Sequence, residues 1–135
     1  MRSLKILILE DNPFQLMAMH QMLNACRVFD VLTASSIESA RNSLAVRGAI
    51  DIAICDLYLE DASGVELISE LAVKQHASAL IIQSCAAPHI VEMAARDARR
   101  QGLKVLGCLS KPVTLNRLNQ LLEKYQVANF RSCCY

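Results

Sequence analysis

Glu10 and Asp11 close one apolar run, Leu4-Lys5-Ile6-Leu7-Ile8-Leu9, and Asp56 closes another, Asp51-Ile52-Ala53-Ile54-Cys55. Farther on, Leu80-Ile81-Ile82-Gln83 runs into Ser84, and Val105-Leu106-Gly107-Cys108-Leu109-Ser110 runs into Lys111-Pro112. Three carboxylates, a hydroxyl and an ammonium therefore stand at the ends of strand-like segments, at the rim of an open α/β sheet where ligands collect. Carboxylates that converge repel one another and gain proton affinity unless a cation neutralises them. Mg2+ suits such a set: it is hard, prefers oxygen, and takes one or two carboxylates together with waters and a phosphate. Glu10, Asp11 and Asp56 are the expected metal acids, with the backbone carbonyl of Tyr58 as a further oxygen. Asp56 is then the candidate nucleophile, able to accept a phosphoryl group as an aspartyl phosphate. Lys111 would pair with one phosphoryl oxygen and Ser84 would donate to another, because such transfers depend on positioning and charge neutralisation.

These residues need a scaffold, and the pattern of the chain supplies one. Short β-rich runs at about 4–9, 28–34, 51–55, 79–83 and 104–109 alternate with helical stretches at about 13–25, 36–47, 64–75, 88–101 and 114–126. Alternation of this kind implies a parallel sheet with helices on both faces, its strands nearly continuously apolar because both sides are buried. Ser35 with Glu38, and Ser63 with Glu66, have capping-box spacing; Pro13 and Pro88 suit first helical turns, and Thr114 suits an N-cap. In the first helix Leu16, Met19 and Leu23 form one face, while Phe14, Met17 and Met22 widen it. That width fits either a broad core face or a patch that docks a partner. After Gln126 the pattern fades, so residues 1–126 form the expected domain and 127–135 a tail or the start of a linker.

A chain of 135 residues with 53% hydrophobic content has room for one domain with a real core. Its net charge of +1, scattered basic residues and few aromatics argue against direct nucleic-acid binding. No run reaches the ~18 to 20 apolar residues of a membrane span, and Met1-Arg2-Ser3 enters a strand without a signal peptide, so no membrane contact and a cytoplasmic location are expected. Six cysteines lack Cys-x-x-Cys or paired Cys/His spacing, which favours reduced thiols over disulfides or zinc. Cys55, Cys85 and Cys108 lie beside the site residues, where oxidation would interfere.

Taken singly, each site residue has a plain explanation as a helix entrance, loop acid or turn residue; together, at successive strand ends, they resemble a known family. Leu-Glu-Asp at 9–11, Asp56 followed by Gly64, Ser84 and Lys111-Pro112 resemble the receiver domain of two-component response regulators over residues 3 to 126. The resemblance implies a flavodoxin-like (βα)5 fold with strand order 2-1-3-4-5 and a cis peptide before Pro112. It also implies Glu10 and Asp11 as magnesium acids, Asp56 as phosphoacceptor, Ser84 as the hydroxyl that follows the phosphoryl group, and Lys111 as its ion-pairing lysine. The implied partners are a sensor histidine kinase or histidine phosphotransfer protein and an output domain or effector, with homodimerisation open. Such a receiver is regulatory and no enzyme beyond its own phosphorylation and dephosphorylation.

Several positions depart from the family's pattern. Leu59-Glu60 replaces its usual Met-Pro, Cys108 occupies the switch-aromatic position, Cys85 follows Ser84 in place of Ala or Gly, and 27 positions separate Ser84 from Lys111. The extra length falls in the fourth helix and the loop after it, which puts the usual aromatic rotation in doubt. Leu-Glu-Asp-x-Pro-Phe-Gln at 9–15, Asp-Ile-Ala-Ile-Cys-Asp-Leu at 51–57 and Leu-Gly-x-Leu-x-Lys-Pro at 106–112 resemble receivers fused to EAL-type cyclic-di-GMP phosphodiesterase domains. Three other readings remain open. A degenerate receiver would signal by binding alone. A haloacid dehalogenase-type phosphatase would need a second acid where Tyr58 stands. A flavodoxin-like cofactor binder would need a Gly-rich loop where Glu10-Asp11-Asn12-Pro13 stands.

Overall fold

The computed structural model describes residues 3–59 and 62–133, with backbone alone for 128–133. Five strands, β1 (Lys5–Leu9), β2 (Asp30–Ala34), β3 (Ile50–Asp56), β4 (Ala77–Ser84) and β5 (Lys104–Ser110), alternate with five helices. The helices are α1 (Pro13–Ala25), α2 (Ile37–Arg47), α3 (Gly64–Val73), α4 (Pro88–Arg100) and α5 (Leu115–Cys133). All strand pairs are parallel, in the order β2-β1-β3-β4-β5. The order reverses between β1 and β3, so connections leave their C-terminal ends in opposite directions and open a crevice there.

Two apolar layers cover the sheet. On one face Ile6, Ile8, Ile52, Ile54 and Ile81 pack with Met19 and Leu23 of α1 and with Leu118, Leu121, Leu122 and Tyr125 of α5. On the other, Leu7, Leu9, Ala53, Cys55, Leu80 and Ile82 pack with α2, α3 and α4 through Leu44, Leu67, Leu71 and Ala98. Burial on both sides explains why the strand sequences run apolar without alternation. β5 carries an irregularity: Leu80 pairs with Val105 but Ile81 with Gly107, which leaves Leu106 as an inserted residue. The bulge turns Cys108 toward the α4 layer and Leu109 toward the α5 layer.

Helix starts follow local chemistry with one correction. Ser36, not Ser35, caps α2, its Oγ accepting the Ser39 amide at 3.0 Å. Glu38 therefore stands in the first turn, one position short of the reciprocal capping-box place. Ser63 caps α3 as expected, but Glu66 reaches across to Arg41 of α2 at 2.9 Å. Thr114 accepts the Arg117 amide at 3.2 Å, and the Lys111–Pro112 peptide is cis. The last helix continues past Gln126 to Cys133, beyond the point where the sequence pattern fades. Met1-Arg2, Glu60-Asp61 and the residues after Cys133 lie outside the described residues. Among the described residues no helix is long and apolar enough to cross a membrane.

Candidate functional site

The crevice holds the acids. Glu10 follows β1, Asp11 comes next, and Asp56 is the last residue of β3; each offers an oxygen, and the three atoms lie within 4.8 Å of one another. Glu10 and Asp56 are buried although charged, at 1% and 4% exposure. Such groups persist only when paired. Here the partner is Lys111, whose Nζ donates to Glu10 Oε1 at 2.7 Å and to Asp56 Oδ2 at 2.6 Å. The remaining lone pairs are met by backbone: the Asn12 amide donates to Glu10 Oε2 at 3.1 Å and the Tyr58 amide to Asp56 Oδ1 at 3.0 Å.

Burial lifts the Glu10 carboxyl above its ordinary 4.5, against the Lys111 and Asn12 hydrogen bonds, which act to lower it. Burial alone disfavours the Lys111 ammonium, but hydrogen bonds and charge from Asp56 and Glu10 outweigh it and hold its pKa above the ordinary 10.5. The two shifts describe one pair unequally: Lys111 keeps its proton firmly, while Glu10 keeps its charge less firmly than an exposed carboxylate. A hard dication would relieve that tension, and an oxygen-only donor set of this spacing fits Mg2+.

Local folding places these groups. Asn12 caps α1 by accepting the Phe14 and Gln15 amides at 3.0 and 3.1 Å, which anchors the chain just after the acid pair. Gly64 is needed for close approach: a Cβ there would run into the carbonyl oxygen of Asp56 and lie 2.9 Å from its carbonyl carbon. Its amide donates to the Leu57 carbonyl at 2.8 Å, closing the loop that follows Asp56. The spacing of Gly64 from Asp56 thus has a steric cause.

Ser84, at the end of β4, is buried, and its Oγ accepts the Ala86 amide at 3.0 Å. It lines a cavity of about 340 Å³ between the sheet and α4, together with Val91, Glu92, Ala95, Arg99 and Cys108. Cys108, where the family carries an aromatic, leaves that space open. Of the cysteines beside the site, Cys55 is fully buried and its thiol is pushed up to about 12; burial also raises Cys108, whereas Cys85 is exposed. Cys85 is therefore the most open of the three to solvent oxidants, Cys108 is partly open, and Cys55 is closed off. In α1, Leu16 and Met22 lean on the core, while Phe14 and Met17 are 84% and 62% exposed, so the wide apolar stripe is only partly core. A residue missed in the sequence is Gln83, buried in the same sheet row as Asp56. Its single clue was a long polar side chain directly after the apolar run Leu80-Ile81-Ile82.

A doubly covered parallel sheet of order 2-1-3-4-5 with an acid cluster at its switch point defines a receiver-type signalling domain. Residues 6–123 match the family model for the response regulator receiver domain, and the chain belongs to that family. It is 30% identical over 125 residues to the cyclic di-GMP phosphodiesterase RocR of Pseudomonas aeruginosa, an alignment covering 93% of this chain and 32% of RocR. It is 26% identical over 132 residues to the sensory transduction protein LytR of Staphylococcus haemolyticus, covering 93% of this chain and 47% of LytR. The chain thus spans less than half the length of either relative. In fold it is similar to the receiver domain of an HD domain-containing protein from Pseudomonas fluorescens, with a TM-score of 0.80 at 17% identity, covering 96% of this chain and 99% of that one. The chemotaxis protein CheY4 of Vibrio cholerae gives 0.78 at 16% identity, covering 92% and 99%. As a receiver, the domain is regulatory.

Proposed function

We propose that this domain is a phosphorylation-controlled switch with Asp56 as phosphoacceptor. The observation that carries this reading is the convergence of Glu10, Asp11 and Asp56 at one sheet edge, with Lys111 Nζ held between two of them. An Asp56 carboxylate oxygen attacks the phosphorus of a phosphohistidine on a histidine kinase or histidine phosphotransfer protein. The new P–O bond forms as the P–N bond breaks, and the imidazole nitrogen leaves with the electron pair. Mg2+, held by Glu10, Asp11, Asp56 and the Tyr58 carbonyl, would supply positive charge for the equatorial phosphoryl oxygens. Lys111 pairs with one phosphoryl oxygen, and the Ser84 hydroxyl turns from the Ala86 amide to donate to another.

The charge change at the rim then biases the neighbouring surface around α4 and β5 between two states. With Cys108 in place of an aromatic, the open cavity beside Ser84 supports movement of α4 itself as the response. Similarity to RocR supports an output in cyclic-di-GMP turnover, residing outside these residues. The exposed Phe14 and Met17 on α1, adjacent to the acids, form the expected contact for the phosphodonor.

Incubation with acetyl phosphate and Mg2+, followed by intact-mass measurement, tests the assignment. One phosphate adduct on the wild type, none on Asp56→Asn and none in excess chelator is the expected outcome. An adduct on Asp56→Asn equal to wild type would sink it.

A further inference from the structure

The registers Leu9 to Cys55, Asp56 to Gln83 and Gln83 to Leu109 set Glu10, Asp56, Gln83 and Leu109 in one row across the sheet. Paired residues of parallel strands project to the same face, and this face is that of Ile8, Ile54 and Ile81 two residues earlier. Gln83 is 2% exposed, and its Nε2 is the one buried side-chain nitrogen or oxygen without a hydrogen-bond partner among the described residues. An unpartnered buried amide is costly and uncommon, so its retention points to a second state in which it is satisfied. The Cα partner of Gln83 in the adjacent strand is Asp56. Asp56 Oδ2 is now held by Lys111 and Oδ1 by the Tyr58 amide. Once a phosphoryl group is bonded to Asp56, Lys111 must serve the phosphoryl oxygens, and the Asp56 side chain loses that donor.

We propose that Gln83 is a further positioning residue of the phosphoacceptor site: its buried Nε2–H, beside Asp56 in the adjacent strand, replaces Lys111 as donor to the Asp56 side chain in the phosphorylated state. This rests on the reading of Asp56 given above. Gln83 thereby disfavours the unphosphorylated state, where its amide is orphaned, and favours the phosphorylated one, where it is paired.

Gln83→Met keeps the length and volume of the side chain and removes the amide. Two measurements on the full chain separate positioning from packing: the melting temperature of the free protein, and affinity for beryllofluoride with Mg2+ by calorimetry. The expected result is a melting temperature equal to or above wild type with beryllofluoride affinity weakened roughly tenfold, about the worth of one hydrogen bond to a charged group. Gln83→Leu, differing in shape, should repeat the affinity loss. Unchanged affinity in both variants, with wild type binding normally, overturns the role of Gln83 while leaving Asp56 as phosphoacceptor. A wild type that takes neither beryllofluoride nor phosphate overturns both.

Discussion

Replacing Lys111 by Met removes the one ammonium that two buried carboxylates share. The Lys111 side chain is 13% exposed, and those of Glu10 and Asp56 are 1% and 5% exposed, so the loss falls on groups with little access to water. Breaking a buried pair costs about 3–5 kcal/mol. Because water can enter at the Lys111 end, the lower limit applies, about 3 kcal/mol, or roughly 10 °C in melting temperature for a chain of this size. The deficit should depend on pH in a definite direction. Glu10 is already raised by burial, and removing the Lys111 hydrogen bond and charge, both of which lower it, raises it further. A carboxyl whose folded pKa exceeds its unfolded value stabilises the fold at low pH and loses that contribution as pH rises through the folded value. The variant's deficit relative to wild type should therefore be larger at neutral pH and shrink on acidification as Glu10 takes up a proton. Millimolar Mg2+ should shrink it at neutral pH, since a dication replaces the missing charge. Differential scanning calorimetry of both proteins at neutral and acidic pH, with and without Mg2+, is the assay. A deficit unaffected by pH and Mg2+ would refute the electrostatic argument and make Lys111 a packing residue.

Gly64→Ala should cost about 3 kcal/mol in urea unfolding, because the new methyl meets the backbone of Asp56 rather than a flexible side chain. A loss under about 1 kcal/mol would show that the α3 entrance yields freely. Cys108→Phe should fill part of the cavity under α4 and raise stability by about 1 kcal/mol, measured the same way; destabilisation would mean that the space does not accept a ring. Met17→Glu, on an exposed position, should leave stability within about 0.5 kcal/mol, slow phosphoryl transfer from a donor protein and leave the rate from acetyl phosphate unchanged. Equal rates with both donors would remove α1 as the docking face.

The convergence of Glu10, Asp11, Asp56 and Lys111 was legible because each closes a strand, and parallel strands bring such ends to one edge. The five units were legible for a related reason, since doubly buried strands separate cleanly from amphipathic helices. Continuous apolar runs, however, do not say which residue faces which layer. The bulge at Leu106 could not be read from Val105-Leu106-Gly107, although it decides that Cys108 faces α4. Gln83 was hidden for the same reason: its place beside Asp56 depends on register, which only pairing reveals. The cap of α2 moved one residue because Ser35 and Ser36 are chemically equivalent and the local sequence offers both. Leu16 and Met17 are neighbours of similar hydropathy, and helix rotation alone sends one toward the core and the other to solvent.

The most direct test of the central claim is to trap the phosphoryl linkage chemically. Protein phosphorylated with acetyl phosphate and Mg2+ is treated with sodium borohydride, which reduces an aspartyl phosphate to homoserine and releases phosphate, and peptides are then mapped by mass spectrometry. Homoserine at position 56 and at no other aspartate is the predicted result. Homoserine at Asp11 or Asp51 instead, or phosphate retained on a hydroxyl such as Ser84, would contradict the assignment of Asp56 as the residue on which this domain switches.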